Sequence, residues 1–229
     1  MRAFIVVWRA LVSFYNELFF LIGMSLLWWL TGGIFVAAAI LLGWPLATVS
    51  VAWWLAPLLA IPAGPATAAL AHVARRVARE ERVDRSFFWE GFRLYWRRAL
   101  ILNAISMAIL ALLCLNLIFY SGISISFLQA LTILWLYLII FWLAALLTLF
   151  PMLAALTEPK VWIALRTTAV MTFANPLFSV LLLLLAVVLT ALSVILVILL
   201  PLAWPALMAL LGEHALKLVL EKVGVKRDA

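Results

Sequence analysis

The chain has 229 residues, of which 69% are hydrophobic and 11% charged, with 16 Lys and Arg against 9 Asp and Glu for a net charge of +7. Soluble domains run at roughly half apolar and a quarter charged residues, so this composition excludes that class. The lone Cys114 excludes an intramolecular disulfide, and bases that flank apolar runs point to anionic lipid headgroups and away from nucleic acid.

The bases fall in four islands, Arg2 to Arg9, Arg75 to Arg98, Lys160 to Arg166 and Lys217 to Arg227. A bilayer-spanning helix needs about 20 apolar residues. Residues 2–16 carry Trp8-Arg9-Ala10-Leu11 and read as an interfacial helix. Residues 18–42 form the first expected span, which is too long for a cleavable signal peptide. Residues 46–73 form the second and contain Pro57, Pro62, Gly64 and Pro65. Each proline removes an amide donor and crowds the preceding turn. This span is therefore expected to bend or break, either as a packing kink or as the broken helix of a transport site.

Residues 86–98 form a second interfacial helix. Phe88, Trp89, Phe92, Tyr95 and Trp96 share one face, while Glu90, Arg93 and Arg97 share the other. Its expected anchors are Trp89, Phe92, Arg93, Trp96, Arg97 and Arg98. Spans at 99–120 and 127–156 follow, joined by the Ser121–Ser126 loop, with Pro151 near the end of the second. Residues 160–174 make a third interfacial helix. Spans at 177–200 and 202–219 close the series. The last holds Pro201, Pro205, Glu213, His214 and Lys217 and is the least apolar. If it crosses, all 16 Lys and Arg share one side. The positive-inside rule makes that side the cytoplasm.

The expected fold is all-α: a polytopic transmembrane helical bundle of six spans, one integral membrane domain over residues 1–229. It would be multi-pass in the cell inner (plasma) membrane, with both termini cytoplasmic. Pro65, Pro151 and Pro205 each begin the pattern P-x-x-x-A-L near the cytoplasmic end of an even-numbered span. Trp8-Arg9-Ala10-Leu11, Trp89-Glu90-Gly91-Phe92 and Trp162-Ile163-Ala164-Leu165 precede the odd-numbered spans. These patterns read as three repeats, each an interfacial helix plus a hairpin. Pro57, Pro62, Gly64, Pro65, Pro151 and Pro205 are the candidate hinges.

Chemistry-bearing residues are few. Asn16, Glu17, His72, Asn103, Asn175, Glu213 and His214 all fall toward the basic side. They read either as a polar vestibule between the repeats or as capped and solvated helix ends. His72, His214 and a glutamate lack any metal-ligand spacing, so no metal site is expected. No carboxylate pair, phosphate loop or nucleophile elbow occurs, so no catalytic residue, no cofactor and no enzymatic activity is expected. Trp28, Trp29, Trp135 and Trp142 lie deep and read first as packing residues.

Three segments carry a resemblance. They are Gly64-Pro65-Ala66-Thr67-Ala68-Ala69-Leu70, then Phe88-Trp89-Glu90-Gly91-Phe92 with Arg93, Trp96 and Arg97-Arg98-Ala99, then Ala164-Leu165-Arg166 leading to Asn175-Pro176. In this order they resemble the YesL-like family of bacterial membrane proteins. That resemblance implies an accessory role beside carbohydrate-uptake systems and transfers no catalytic or ligand residue. The function expected is a non-enzymatic accessory or scaffold subunit, partnered by a transporter or other membrane complex. The alternative is a small-solute transporter or channel with its path near the proline-broken second span.

Overall fold

Alanine is a large part of the buried core of this protein, beside bigger side chains such as Phe88, Phe141 and Leu153, and many large apolar side chains also cover the outside. The buried set includes Ala66, Ala68, Ala69, Ala71, Ala74, Ala99, Ala154, Ala206 and Ala215. Phe19, Leu177, Ile133 and Ile195 stand among the most exposed side chains. So many exposed large apolar side chains suit a lipid surface, and buried alanines let helix backbones approach closely, as packing in lipid favours.

The computed structural model describes residues 2–49, 51–122 and 129–222. Part of the Ser121–Ser126 loop, the first two residues of the 127–156 span and the end of the last basic island lie outside the described residues. The described chain runs α1 (Arg2–Asn16), α2 (Leu18–Trp28), a π-helical turn (Trp29–Gly33), α3 (Ile34–Val49) and a 3-10 segment (Val51–Ala63). It continues as α4 (Gly64–Val77), α5 (Ser86–Ser121), α6 (Leu131–Ala155), α7 (Val161–Ala174), α8 (Pro176–Ile195), α9 (Leu199–Leu202) and α10 (Trp204–Lys222). There is no strand among the described residues. Among the described residues five stretches are long and apolar enough to cross a membrane: Leu18–Leu42, Pro57–Val77, Ser86–Ser121, Leu131–Ala155 and Pro176–Ile195.

Several boundaries differ from the sequence reading; the fifth expected span, 177–200, ends at Ile195, and the short α9 follows before Trp204 opens α10. The first turn is expected near Trp44, yet α3 continues to Val49. Where lipid offers no hydrogen bond, a helix that continues satisfies more of its own amides. The expected interfacial helix 86–98 and span 99–120 are one unbroken helix of 36 residues. At 1.5 Å per residue it is about 54 Å long, against a hydrocarbon core of about 30 Å. Its amphipathic first third is the part that must extend beyond the apolar layer. There Phe88, Gly91, Tyr95 and Ala99 are buried toward the bundle, Phe92 is half-buried, and Trp89 and Trp96 flank that stripe exposed. Arg93, Arg97 and Arg98 are exposed, with the Arg97 guanidinium 5.3 Å from the Trp96 ring centre.

The residues 202–219 lack the hydropathy of the five long stretches, and their geometry explains why. α10 lies beside α8 in the opposite direction. Trp204 Nε1 donates to Thr190 Oγ1 at 2.9 Å near one end, and Lys222 Nζ donates to Asn175 Oδ1 at 2.7 Å at the other. Its 19 residues cover about 28 Å. Leu210, Leu211, Gly212, Glu213, His214, Ala215 and Leu216 are all buried. A helix wrapped by other helices meets little lipid and can carry polar side chains.

The three proline patterns mark the centre. α4, α6 and α10 pack against one another, with Pro65, Pro151 and Pro205 all buried. The Trp patterns mark the periphery. Trp8, Trp89 and Trp162 are exposed, while two residues later Ala10, Gly91 and Ala164 are buried. Each outer helix lies on one central helix: α5 on α4, α7 on α6, and α1 on α10. In the first two cases the outer helix follows its central partner along the chain. In the third, the helix at the start of the described chain lies on the one at its end, which closes the cycle.

Candidate functional site

The proline break is the first candidate. Pro57 and Pro62 lie within the 3-10 segment, and Gly64 and Pro65 open α4. Residue 65 has no amide hydrogen, so the Ile61 carbonyl loses its usual helical donor. Asn103 of α5 replaces it: its Nδ2 donates to Ile61 O at 3.0 Å and to Ala60 O at 2.9 Å. A Cβ at Gly64 would stand 2.6 Å from Ala99 O, so the helices touch there backbone to backbone. The break is packed shut. Asn103 is 4% exposed and serves this joint and no vestibule. Replacing Asn103 with Leu leaves a buried carbonyl without a donor, at a cost of about 2 kcal/mol. The midpoint of unfolding in detergent should fall accordingly, and an unchanged midpoint would show that the carbonyls find another donor.

Pro151 sits inside α6 and frees the Leu147 carbonyl in the same way. Here the neighbour is Gly212 of α10, whose added Cβ would run into Leu147 O and stand 3.0 Å from Pro151 Cγ. The closeness that glycine permits brings a Cα–H group to the orphaned oxygen. Pro205 is the second residue of α10, where a missing amide costs nothing.

The polar residues expected in a vestibule divide. A cleft of about 740 Å³ opens among α1, α10 and the turn after α4, lined by Arg9, Glu17, Glu80, Glu81, Lys217 and Glu221 with Trp8 on its wall. Asn16, Glu17 and His214 reach it. His214 lies against α1, with Nε2 3.1 Å from Ser13 Oγ. His72, Asn103, Asn175 and Glu213 do not line it. His72 packs 5.8 Å from the Tyr95 ring and against Gly91. Asn175 stands at the α7–α8 corner, where its Oδ1 accepts from Lys222. Glu213 is 3% exposed and lies close enough to Arg75 for their charges to interact.

Arg75 is the residue the sequence reading missed. It belongs to a basic island, which read as a headgroup anchor. The side chain instead turns into the bundle, and Nη1 donates to Ala154 O in the last turn of α6. A cation at that end satisfies an orphaned carbonyl and opposes the helix dipole. One guanidinium thus links α4 to α6, with Glu213 of α10 in its electrostatic field. Three of the four islands send a side chain into contacts at one end of the bundle: Arg9 with Lys217 in the cleft, Arg75 on Ala154, and Lys222 on Asn175.

Two tryptophans form matching relays away from this end. Trp28 Nε1 donates to Thr67 Oγ1 at 3.1 Å, and that hydroxyl donates to Ala63 O at 2.9 Å. Trp204 Nε1 donates to Thr190 Oγ1, which donates to Ala186 O at 2.8 Å. The two indoles meet edge to face with centres 6.0 Å apart. These contacts fit helix packing. Among the described residues no group of three His, Cys, Asp or Glu could hold a metal ion.

Residues 46–117 match the family described as "Protein of unknown function, DUF624". The matched stretch begins in α3 and ends within α5, so it contains the closed proline break, Arg75, Gly91 and Asn103. No curated protein and no solved structure matches the chain.

Proposed function

We propose that this chain is an integral membrane protein of the inner (plasma) membrane that serves as a non-enzymatic accessory or scaffold subunit. Its basic end faces the cytoplasm with both termini, and it crosses six times because α10 returns through the middle of the bundle. The observation that carries the subunit reading is the contrast between the two candidate sites. The proline break, where a transport path would lie, is filled by Asn103 and by backbone contact at Gly64. The accessible feature is the cleft at the basic end, which opens beside Trp8 and faces both acids and bases outward. That combination suits a docking surface for another membrane subunit, with Trp8 as apolar anchor and charges at the rim. The finer affiliation with YesL-like proteins, and with it a partner in carbohydrate uptake, is supported by the matched stretch and by the Trp89 and Pro65 patterns within it.

Purification from the native membrane in mild detergent tests the reading. A membrane protein should co-purify in fixed ratio, and Trp8→Ala with Lys217→Glu should release it while the chain stays folded. A chain that purifies alone and moves solute across liposomes overturns the proposal. For orientation, an impermeant thiol reagent applied outside should label a cysteine placed in the Ser121–Ser126 loop and spare one placed at Arg82. The reverse pattern sinks the assignment of sides.

A further inference from the structure

A second hollow lies between α2 and the start of α5. It has a volume of about 470 Å³ and is lined by Phe19, Phe20, Gly23, Met24 and Leu27 of α2 and by Arg85, Ser86 and Trp89 at the start of α5. Ser86 and Trp89 also line an adjoining surface hollow with Glu90, Arg93 and Leu94. The walls grade from charge to hydrocarbon. At the α5 end Arg85 lines the trough and Arg93 the adjoining hollow, and the α2 wall is wholly apolar.

Depth fits that gradient. α5 is longer than the hydrocarbon layer, so its first turns stand at headgroup level. The α2 wall belongs to the Leu18–Leu42 stretch and descends about 12 Å from Phe19 to Leu27. Gly23 holds the trough open, since a Cβ added there meets no atom within 4 Å. Phe19 is 89% exposed at its edge.

The nearby acids are engaged elsewhere. Asp84 accepts from the Ser86 hydroxyl at 2.8 Å and from the Arg85 amide at 2.7 Å. Glu90 pairs with Arg76 at 3.4 Å. Asp84 feels the charge of Arg85, but no described hydrogen bond or ion pair occupies the guanidinium of Arg85 or of Arg93. Apolar troughs in the bilayer must be filled by something, and unoccupied guanidiniums at their mouth select a phosphate.

We propose that this trough between α2 and the start of α5 is a binding site for one anionic phospholipid, with an acyl chain over Gly23 and the headgroup phosphate on Arg85 and Arg93. The inference rests on the membrane reading above. Two guanidiniums near an anionic group give a preference on the order of tenfold or more over a zwitterionic lipid.

The test is native mass spectrometry of the full chain in detergent with added phosphatidylglycerol or phosphatidylcholine. The wild type should retain one phosphatidylglycerol in preference. Gly23→Trp places an indole in the trough from a position where an added Cβ meets no atom within 4 Å, and should abolish retention of either lipid. Arg85→Gln with Arg93→Gln should leave a bound chain and remove the preference. A photoactivatable phosphatidylglycerol on the wild type supplies a check that needs no variant: its cross-links should fall between Phe19 and Leu27. Equal retention of the two lipids by the wild type, unchanged retention by Gly23→Trp, or cross-links spread over the other helices overturns the site alone. Recovery of the chain without detergent in the soluble fraction overturns the site together with the membrane reading.

Discussion

Replacing Gly212 with alanine should destabilise the protein more than any other single-methyl change. The new Cβ points at the Leu147 carbonyl, which is backbone and cannot rotate away, and at the Pro151 ring. α6 and α10 would have to separate along the central contact. Overpacking of a tight core costs about 3 kcal/mol. For a chain of this size that is roughly 10 °C in the unfolding midpoint. Gly212→Ala should therefore give a lower thermal midpoint and a reduced yield in detergent. Gly23→Ala, where nothing lies within 4 Å, is the matched control and should change neither. Equal behaviour of the two variants would mean that the α6–α10 contact is looser than described.

Arg75→Met should be comparably severe, for an electrostatic reason. Its guanidinium holds the end of α6 at Ala154 O and lies within reach of the buried Glu213. Removing a charged donor from the Ala154 carbonyl, in the field of a buried carboxylate, costs about 2–3 kcal/mol. Replacing both charges often costs little. The double variant Arg75→Met with Glu213→Leu should therefore recover most of the loss, measured as a double-mutant cycle on unfolding in detergent. Strict additivity of the two single changes would remove the coupling and the role assigned to Arg75.

The sequence made some of this legible. Islands of charge between apolar runs follow from the dielectric of the bilayer, which acts on every residue alike, so the helical class and most helix positions could be read directly. The start of α1 and the extent of α7 follow from the same rule. What stayed hidden depends on neighbours. Nothing local says that Arg75 turns inward while Arg93 and Arg97 turn out, since all three belong to one basic island. Asn103 looked like a vestibule residue because its partner, the Ile61 carbonyl, is orphaned by a proline about 40 residues away. A mid-helix proline is a readable signal that some donor must come from elsewhere. Which helix supplies it is set by packing. The break at residue 99 was expected because composition changes there, yet a helix can pass from headgroups to hydrocarbon without changing its backbone.

The closing of the cycle by α1 on α10 has a consequence for how the protein is made. Ser13 and His214, which meet across that contact, are 201 residues apart in the chain. At about 5–20 residues per second, roughly 10–40 s pass between the synthesis of one and of the other. During that interval α1 lacks its central partner. The newborn bundle has two of its three outer contacts. Such an intermediate is open to chaperones, insertion factors and membrane proteases. A defect in the last helix would thus register at the first one, as a chain that inserts fully and is then degraded.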